Sequence, residues 1–314
     1  MGRKSIRRPI TKRKINMELT QEQKTKVLNA MLEDMGARAM SQNAYGKYLG
    51  ISGATITQLK KGFFKTLSDG TWITIARSLN VELNSKRQVW RTANTPVVQY
   101  ITQQLSFYME TSSAGMLCDI CGIGKTEAAK AFARKHRGNV VYIDGSKCKS
   151  KVRFIRAIAT EFGVNSSGRV VDVLDDLMYV VKQLDKPLII IDEAGDLEYS
   201  AFLELKALYN HLEDLCGFYL MGAEALESKI ERAKNNRKVG YAEIFDRFGA
   251  KYQKIMPLDP TEKHQMLVST AKMIMEVNGI TDPKKQNSII GGKTPSLRRL
   301  KILVHRALQE GAAA

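Results

Sequence analysis

The stretch MLCDICGIGKTE, residues Met116–Glu127, joins an apolar run to a helix-forming segment through a loop that contains two glycines. Gly122 and Gly124 let backbone N–H groups crowd around a phosphate, and the helix that follows adds the positive end of its dipole. In the pattern G-x-x-x-x-G-K-[ST], the lysine reaches the β- and γ-phosphates and the next hydroxyl ligates Mg²⁺. We therefore expect a site for ATP and Mg²⁺ formed by Gly122, Ile123, Gly124, Lys125, Thr126 and Glu127.

A second stretch, PLIIIDE at residues Pro187–Glu193, is the expected partner of this loop. Its aliphatic run predicts a buried strand that ends in two acids. We expect Asp192 to hold the metal together with Thr126, and Glu193 to be the catalytic residue that orients water. A glycine-lysine-threonine triplet alone is common by chance, but an acidic strand end 67 residues after Lys125 makes the combination specific.

One residue departs from the phosphate-loop pattern. The pattern has glycine six residues before the lysine, and this chain has Asp119 there. In one interpretation Asp119 only closes a turn, which aspartate tolerates better than most residues. In the other, its carboxylate repels the phosphates and weakens nucleotide binding. We favour the first.

Positive charge is concentrated in the first third of the chain. The 314 residues have a formal net charge of +17, and residues 1–97 contain 18 Lys and Arg against 6 Asp and Glu, a net of +12. Such an excess is typical of nucleic-acid binding. Residues 1–16, with seven Lys and Arg, predict a basic arm that is disordered until it meets phosphate. A membrane surface is the competing partner, but no basic amphipathic helix with aromatic anchors appears, so we expect nucleic acid.

The remaining composition excludes several classes of protein. No apolar run reaches the ~18 residues of a membrane span, and the charged N-terminus lacks the apolar segment of a secretory signal. The four cysteines are too few for a disulfide framework and have no partners at zinc spacing. We expect no membrane partner and a cytoplasmic location.

The stretch SQNAYGKYLGISGATITQLKKG, residues 41–62, predicts two helices joined by a turn at Gly50, with Ser52 capping the second. It resembles the helix-turn-helix of phage repressors, although Gly46 stands where that family usually has alanine. In such folds the second helix enters the major groove of DNA. The resemblance implies contacts with base edges and phosphates by Thr55, Gln58, Lys60 and Lys61. A small helical bundle used for protein contacts is the alternative.

Strand patterns at residues 115–120, 139–144, 188–192 and 218–222 alternate with helix patterns at 127–135, 151–162, 170–184 and 199–212. This alternation predicts an α/β fold with a parallel sheet and helices on both faces. The last predicted strand is a short one near Tyr252–Met256, and from Asp259 onward the pattern is helical, with Asp259 as the cap and Pro260 in the first turn. We expect a basic arm at 1–16, an all-α helix-turn-helix domain at 17–83, a linker at 84–97, a nucleotide-binding core at 98–258 and a helical lid at 259–314.

Five motifs follow one another in an order that resembles the AAA+ ATPases, and among these the target-selection ATPases of Mu-type and Tn7-like transposition. The motifs are the glycine loop, IIIDEA, LMGA, IFDRFGAKY and PSLRRL. The resemblance covers roughly residues 40–305. It implies an AAA+ P-loop domain with a lid, Mg²⁺-dependent ATP hydrolysis, and homo-oligomers, as rings or filaments, that hold double-stranded DNA and activate a transposase. Ala223 stands where the family usually has a polar residue that helps to orient water, and this departure points to slow hydrolysis. The resemblance also makes Arg247 the finger that reaches a neighbour's γ-phosphate and Arg298 the lid residue that senses nucleotide. The alternative for both is a plain surface cation.

A lysine-rich loop, residues 146–151, follows the second predicted strand. Family members turn this loop toward the central channel of their assemblies, which implies phosphate contacts by Lys147, Lys149 and Lys151; an ordinary solvated loop is the alternative. Two other functions stay open for the whole chain: a helicase loader or replication initiator, and a transcriptional regulator tuned by nucleotide. A helicase loader does not need a repressor-like domain, so transposition is favoured.

Overall fold

The structure, a computed structural model, describes residues 18–79, 81–83, 90–292 and 294–312. The basic arm predicted at residues 1–16 lies outside the described residues, as do residues 84–89 of the predicted linker. The chain divides into two compact units, Met1–Gln88 and Val89–Ala314. Each unit encloses its own hydrophobic core.

The first unit is helical, as predicted. Thr20 forms the expected capping box with Gln23, and the Ser52 hydroxyl accepts a hydrogen bond from the backbone N–H of Thr55. The last helix ends at Ser78, five residues before the predicted end of this domain at Leu83. The helices are α1 (Gln21–Ala37), α2 (Gln42–Leu49), α3 (Gly53–Lys60) and α4 (Asp69–Ser78). Their fully buried side chains include Met31, Tyr45, Ile56, Leu59 and Trp72.

The turn between α2 and α3 depends on two glycines. Gly50 ends α2 in the left-handed region, at φ 72°, where a residue without a Cβ is favoured. Gly46 faces the backbone of the turn, and a Cβ there would lie 2.9 Å from the carbonyl oxygen of Ile51 and 3.0 Å from the nitrogen of Gly53. Close packing of α2 on the turn therefore accounts for the glycine where repressors usually have alanine.

The second unit is built on a four-stranded sheet. The strands are β1 (Ala114–Cys118), β2 (Val140–Asp144), β3 (Leu188–Asp192) and β4 (Gly217–Gly222). They lie in the order β1-β4-β3-β2, and every neighbouring pair is parallel. β3 has the predicted bounds, and the predicted parallel sheet is confirmed.

Helices cover both faces of this sheet. Alternate strand residues point to opposite faces, so Ile189 and Ile191 enter a core shared with α7–α11, while Leu188 and Ile190 enter a core shared with α5 and α6. The helices are α5 (Pro96–Thr111), α6 (Lys125–Lys135), α7 (Lys151–Glu161), α8 (Val170–Val181), α9 (Tyr199–Leu212), α10 (Glu224–Asn235) and α11 (Tyr241–Arg247). The three-layer α/β architecture matches the prediction, although α10 and α11 had no counterpart in it.

The prediction of a strand near Tyr252–Met256 is wrong. Only Gln253 joins the sheet, through a single bridge to Leu117: its N–H donates to the carbonyl of Met116 at 2.9 Å, and its carbonyl accepts from Cys118 at 3.1 Å. The next N–H groups do not continue the ladder, because those of Ile255 and Met256 point to the carboxylate of Asp119.

The lid consists of α12 (Pro260–Val277), α13 (Pro283–Ile290) and α14 (Leu297–Ala312). Asp259 caps α12 as predicted, because its carboxylate accepts from the N–H groups of Thr261 and Glu262, both at 2.9 Å. A small separate core, made mainly by Ala271, Met275, Ile280, Leu300 and Val304, holds the three helices together. The lid thus has a core of its own, and Leu267 of α12 is also buried in the core that α5 and α6 share with the sheet.

Candidate nucleotide-binding site

The glycine loop between β1 and α6 has the backbone that phosphate binding requires. Gly122 and Gly124 adopt φ angles of 79° and 103°, and α6 begins at Lys125, directly after Gly124. The ammonium group of Lys125 donates to the carbonyl oxygens of Asp119 and Ile120, at 2.7 and 2.8 Å. Burial lowers the pKa of Lys125, and the negative charge of Asp119 opposes that shift. The loop therefore holds its lysine at the helix N-terminus, where an anion is stabilised.

The predicted cation ligands meet at the end of β3. The Thr126 hydroxyl donates to Oδ2 of Asp192 at 2.7 Å, and Oδ1 of the same carboxylate accepts from the N–H of Glu193 at 3.0 Å. Carboxylate and hydroxyl oxygens are the ligands that Mg²⁺ uses, with the rest of its shell supplied by water and nucleotide phosphates. No group of three or more His, Cys, Asp and Glu within the described ranges could hold a metal by itself. The donor set thus fits a cation that arrives with a nucleotide.

Glu193 follows Asp192 in an unusual backbone conformation. Its φ of 48° lies in the left-handed region, which is uncommon for residues other than glycine. Burial raises the pKa of Glu193, and the neighbouring charge of Asp192 raises it further. A carboxylate with a raised pKa beside the cation ligands is suited to act as a base toward water.

Asp119 fits neither of the two sequence interpretations fully. Its carboxylate is buried and accepts three backbone N–H bonds, from Ile120 at 2.7 Å, Ile255 at 2.6 Å and Met256 at 2.8 Å. It closes the local turn, as the favoured interpretation requires. It also anchors the segment that leads to the lid, which was not predicted. All three bonds come from backbone donors of the protein, so both carboxylate oxygens are engaged.

A cavity of about 290 Å³ brings the predicted residues together. Its lining includes the whole glycine loop, both acids after β3, and the lid residue Arg298. Asp119 and Arg247 are not among the lining residues. The predicted residues that line the cavity are Gly122, Ile123, Gly124, Lys125, Thr126, Glu127, Asp192, Glu193 and Arg298, and Ala223 lies there too.

One wall of the cavity was missed by the sequence analysis. The residues that line it, Trp90–Ala93, Thr95 and Val98, lie mostly in the region predicted to be a linker at 84–97. This segment is fixed rather than free: the N–H of Arg91 donates to Oδ1 of Asn278 at 2.9 Å, and Nδ2 of Asn278 donates back to the carbonyl of Arg91 at 3.0 Å. Thr95 then caps α5. The Thr95–Pro96 pair signals that cap, but no local pattern reveals the contact with Asn278.

Arg247 lies at the C-terminal end of α11, outside the cavity. Its guanidinium stands 5.9 Å from the ring centre of Tyr209, and within the part of the chain that the structure describes its Nη1 is buried without a hydrogen-bond partner. An arginine finger acts on the site of a neighbouring subunit, so this position leaves that role as a prediction.

The lysines predicted to contact DNA fall into two groups. Lys147, Lys149 and Lys151 form ion pairs with Asp144, Asp196 and Glu204, at 3.0, 3.1 and 2.6 Å. Their loop is therefore less positive than its lysines alone suggest. In the first unit, Gln58, Lys60 and Lys61 are exposed on or beside α3, while the Thr55 hydroxyl lies 2.8 Å from that of Ser52 at the helix start. DNA binding by both groups remains a prediction.

The comparison with protein families agrees with this geometry. A family model described as an AAA domain matches residues 108–230. Residues 108–230, 123 of the 314 residues of the chain, therefore resemble an AAA domain. The match contains the glycine loop, Asp192 and Glu193, and ends before Arg247 and the lid. The roles of Arg247 and Arg298 therefore rest on their position and on the resemblance noted above.

Two curated relatives are similar to about half of this chain. The ATP-dependent target DNA activator B of Escherichia phage Mu is 29% identical over 157 residues, which are 50% of this chain and 49% of that protein. The Mu-like prophage FluMu DNA transposition protein B of Haemophilus influenzae is 26% identical over 152 residues, 48% of each chain. The matched part is thus about half the length of these relatives.

A solved structure of the Aeropyrum pernix Orc1 protein in complex with DNA aligns with a TM-score of 0.48 and 16% identity, over 69% of this chain and 60% of that one. No helix among the described residues is both long enough and apolar enough to cross a membrane.

Proposed function

We propose that this chain is an ATP-dependent DNA-binding protein that oligomerises on DNA, presents target DNA and activates a transposase, with slow ATP hydrolysis as the switch. The observation that carries the proposal is the single cavity that gathers Lys125, the Thr126–Asp192 pair, Glu193 and the lid residue Arg298. The similarity to Mu-type target DNA activators supports the transposition role.

The residues that line the cavity would have different roles in ATP hydrolysis. Lys125 and the N–H groups of the loop would bind the β- and γ-phosphates, while Asp192 and Thr126 would hold Mg²⁺, which neutralises phosphate charge. Glu193 would take up a proton from the attacking water, for which its raised pKa is suited. Ala223 offers no polar group to help orient that water, which favours slow turnover.

DNA binding is assigned first to the helical unit. Its α2–turn–α3 arrangement and the exposed Lys60 and Lys61 beside α3 fit a helix that presents its N-terminal part to base edges and its lysines to phosphates. Lys147, Lys149 and Lys151 would contribute once DNA phosphates replace their present carboxylate partners.

We assign the contact between neighbouring subunits to the end of α11 that carries Arg247. The guanidinium of arginine is planar and permanently charged, so it can bind two phosphate oxygens of the nucleotide in a neighbouring subunit. Such arginine fingers contribute about 10³-fold or more to the rate of hydrolysis. Arg247→Ala should keep nucleotide binding by a single subunit and lose hydrolysis by that factor. Arg232→Ala, an exposed arginine on α10, is the matched control, and loss of hydrolysis in the control alone would move the finger to Arg232.

The decisive experiment images the protein on long DNA with and without ATP. Wild-type chain and the control Lys135→Ala, at the exposed end of α6, should form ATP-dependent assemblies, whereas Lys125→Ala should bind no nucleotide and form none. A Lys125→Ala chain that titrates nucleotide like wild type would contradict the site. Tight binding of one short operator at raised salt, without assemblies, would instead favour the nucleotide-tuned regulator, and assembly only with a replicative helicase would favour the loader.

A further inference from the structure

A tyrosine on β2 contacts the carboxylate assigned to the cation. β2 and β3 are parallel neighbours in which Tyr142 is aligned with Ile190. Because side chains alternate along a strand, Ile190 and Asp192 face the same side of the sheet, where Tyr142 also packs. From there the Tyr142 hydroxyl reaches Oδ2 of Asp192 at 2.8 Å. Neither the phosphate-loop pattern nor the acidic strand end includes this residue.

The hydroxyl completes a set of three donors around one carboxylate. Oδ2 of Asp192 accepts from Thr126 and Tyr142, and Oδ1 accepts from the N–H of Glu193. Asp192 is only 2% exposed, and a buried carboxylate is stabilised when donors occupy its lone pairs. Tyr142 is the donor in this bond, because an ionised carboxylate can only accept.

The tyrosine ring is itself held in place. The ammonium group of Lys130, on α6, lies 5.3 Å from the ring centre, within the range of a cation–π contact. α6 is the helix that begins with Lys125 and Thr126. The ring thus fixes the angle from which its hydroxyl meets Asp192.

We propose that Tyr142 is a positioning residue that holds Asp192 in the orientation used by the Mg²⁺ that accompanies nucleotide. The inference rests on the proposed function, since it concerns the same site. Groups that bond to a metal ligand orient it, and their loss typically costs about 10–100-fold in metal affinity. A merely structural hydroxyl would change folding stability and leave the Mg²⁺ requirement untouched.

The test compares Tyr142→Phe with Tyr252→Phe. Both changes remove one hydroxyl that donates to a carboxylate, because Tyr252 donates to Glu231 at 2.7 Å, away from the cavity lining. Binding of a fluorescent ATP analogue to the full chain is titrated against Mg²⁺ and repeated in EDTA, and thermal unfolding is recorded for each variant. We expect the Mg²⁺ midpoint of Tyr142→Phe to rise about 10-fold or more, with nucleotide affinity in EDTA within about twofold of wild type.

The outcomes separate this inference from the proposed function. If wild type binds the analogue with a Mg²⁺ requirement and Tyr142→Phe has the same midpoint within about twofold, the positioning role is overturned while the nucleotide site stands. An equal rise in Tyr252→Phe overturns it as well, because the effect is then not local. A wild-type chain that binds no nucleotide at any Mg²⁺ concentration overturns both. A loss of unfolding temperature in Tyr142→Phe with an unchanged midpoint assigns the hydroxyl to stability alone.

Discussion

Replacing Asp119 by glycine would restore the residue that the phosphate-loop pattern has at this position, and we expect this change to destabilise the protein. The carboxylate of Asp119 accepts from the N–H groups of Ile255 and Met256, which lie 136 and 137 residues further along the chain. Glycine removes the acceptor and leaves both donors without it. The loop itself would keep its form, because Gly122 and Gly124 are unchanged.

The magnitude follows from the burial of the two donors. An unsatisfied buried N–H costs about 1–3 kcal/mol, and the bond to Met256 is buried while the bond to Ile255 is partly buried. We expect a loss of about 2–4 kcal/mol in the free energy of unfolding of the second unit. For a unit of this size each kcal/mol lowers the melting temperature by about 2–4 °C, so the shift is roughly 4–16 °C. Asp119→Asn should lose less than glycine, because Ile255 and Met256 donate to the same oxygen, Oδ2, which the amide oxygen can replace, and only the bond from Ile120 to Oδ1 is then lost.

Calorimetric unfolding of the full-length chain measures the shift, and nucleotide titration of the same variants tests the competing interpretation. If the carboxylate of Asp119 repelled phosphate, glycine would tighten nucleotide binding. The structure predicts no tightening, since Asp119 does not line the cavity. An unfolding free energy within about 1 kcal/mol of wild type, or a clear gain in affinity, would refute the reasoning.

Three further predictions concern the base, the helical unit and DNA. Glu193→Gln should keep ATP binding and block hydrolysis, giving longer-lived DNA complexes, and unchanged turnover would remove Glu193 from the catalytic role. Gly46→Ala should lower the unfolding free energy by about 1 kcal/mol in denaturant titration, because overpacking against the Ile51 carbonyl, about 1–3 kcal/mol, outweighs the helix propensity gained, about 1 kcal/mol. Replacing both Lys60 and Lys61 by alanine should reduce the slope of log affinity against log salt by about 2, and an unchanged slope would exclude phosphate contacts.

Local patterns were sufficient for the nucleotide loop and its strand. The glycine loop restricts its own backbone, and the aliphatic run Leu188–Ile191 can only be a buried strand, so Leu188–Asp192 and Tyr199–Leu212 have the predicted bounds. Caps were equally predictable: Thr20, Ser52 and Asp259 bond to N–H groups no more than three residues away. Such features depend on neighbours in sequence.

The features that were missed depend on partners far along the chain. The Arg91–Asn278 bonds span 187 residues, and the Tyr142–Asp192 bond spans 50. Tyr252–Met256 has the composition of a strand, yet Asp119 takes the N–H groups that a further ladder would need. A single sequence carries no signal for these pairings, because each partner looks ordinary in its own surroundings.

These long-range bonds also connect the wall of the cavity to the helices that follow Asp259. α12 is tied near both ends: Asp119 holds Ile255 and Met256 shortly before it begins, and Asn278, directly after it, holds Arg91 on the cavity wall. A nucleotide that contacts the glycine loop and Arg298 would touch the sheet and the lid at once. If the lid has two arrangements, such a ligand shifts the balance between them only by the difference in its affinity for the two. The arrangement of the lid then contributes to the free energy of nucleotide binding. We expect a substitution that breaks the bonds of Asp119 or those of Asn278 to change this coupling between the lid and nucleotide affinity, while Gly122, Gly124 and Lys125 stay in place.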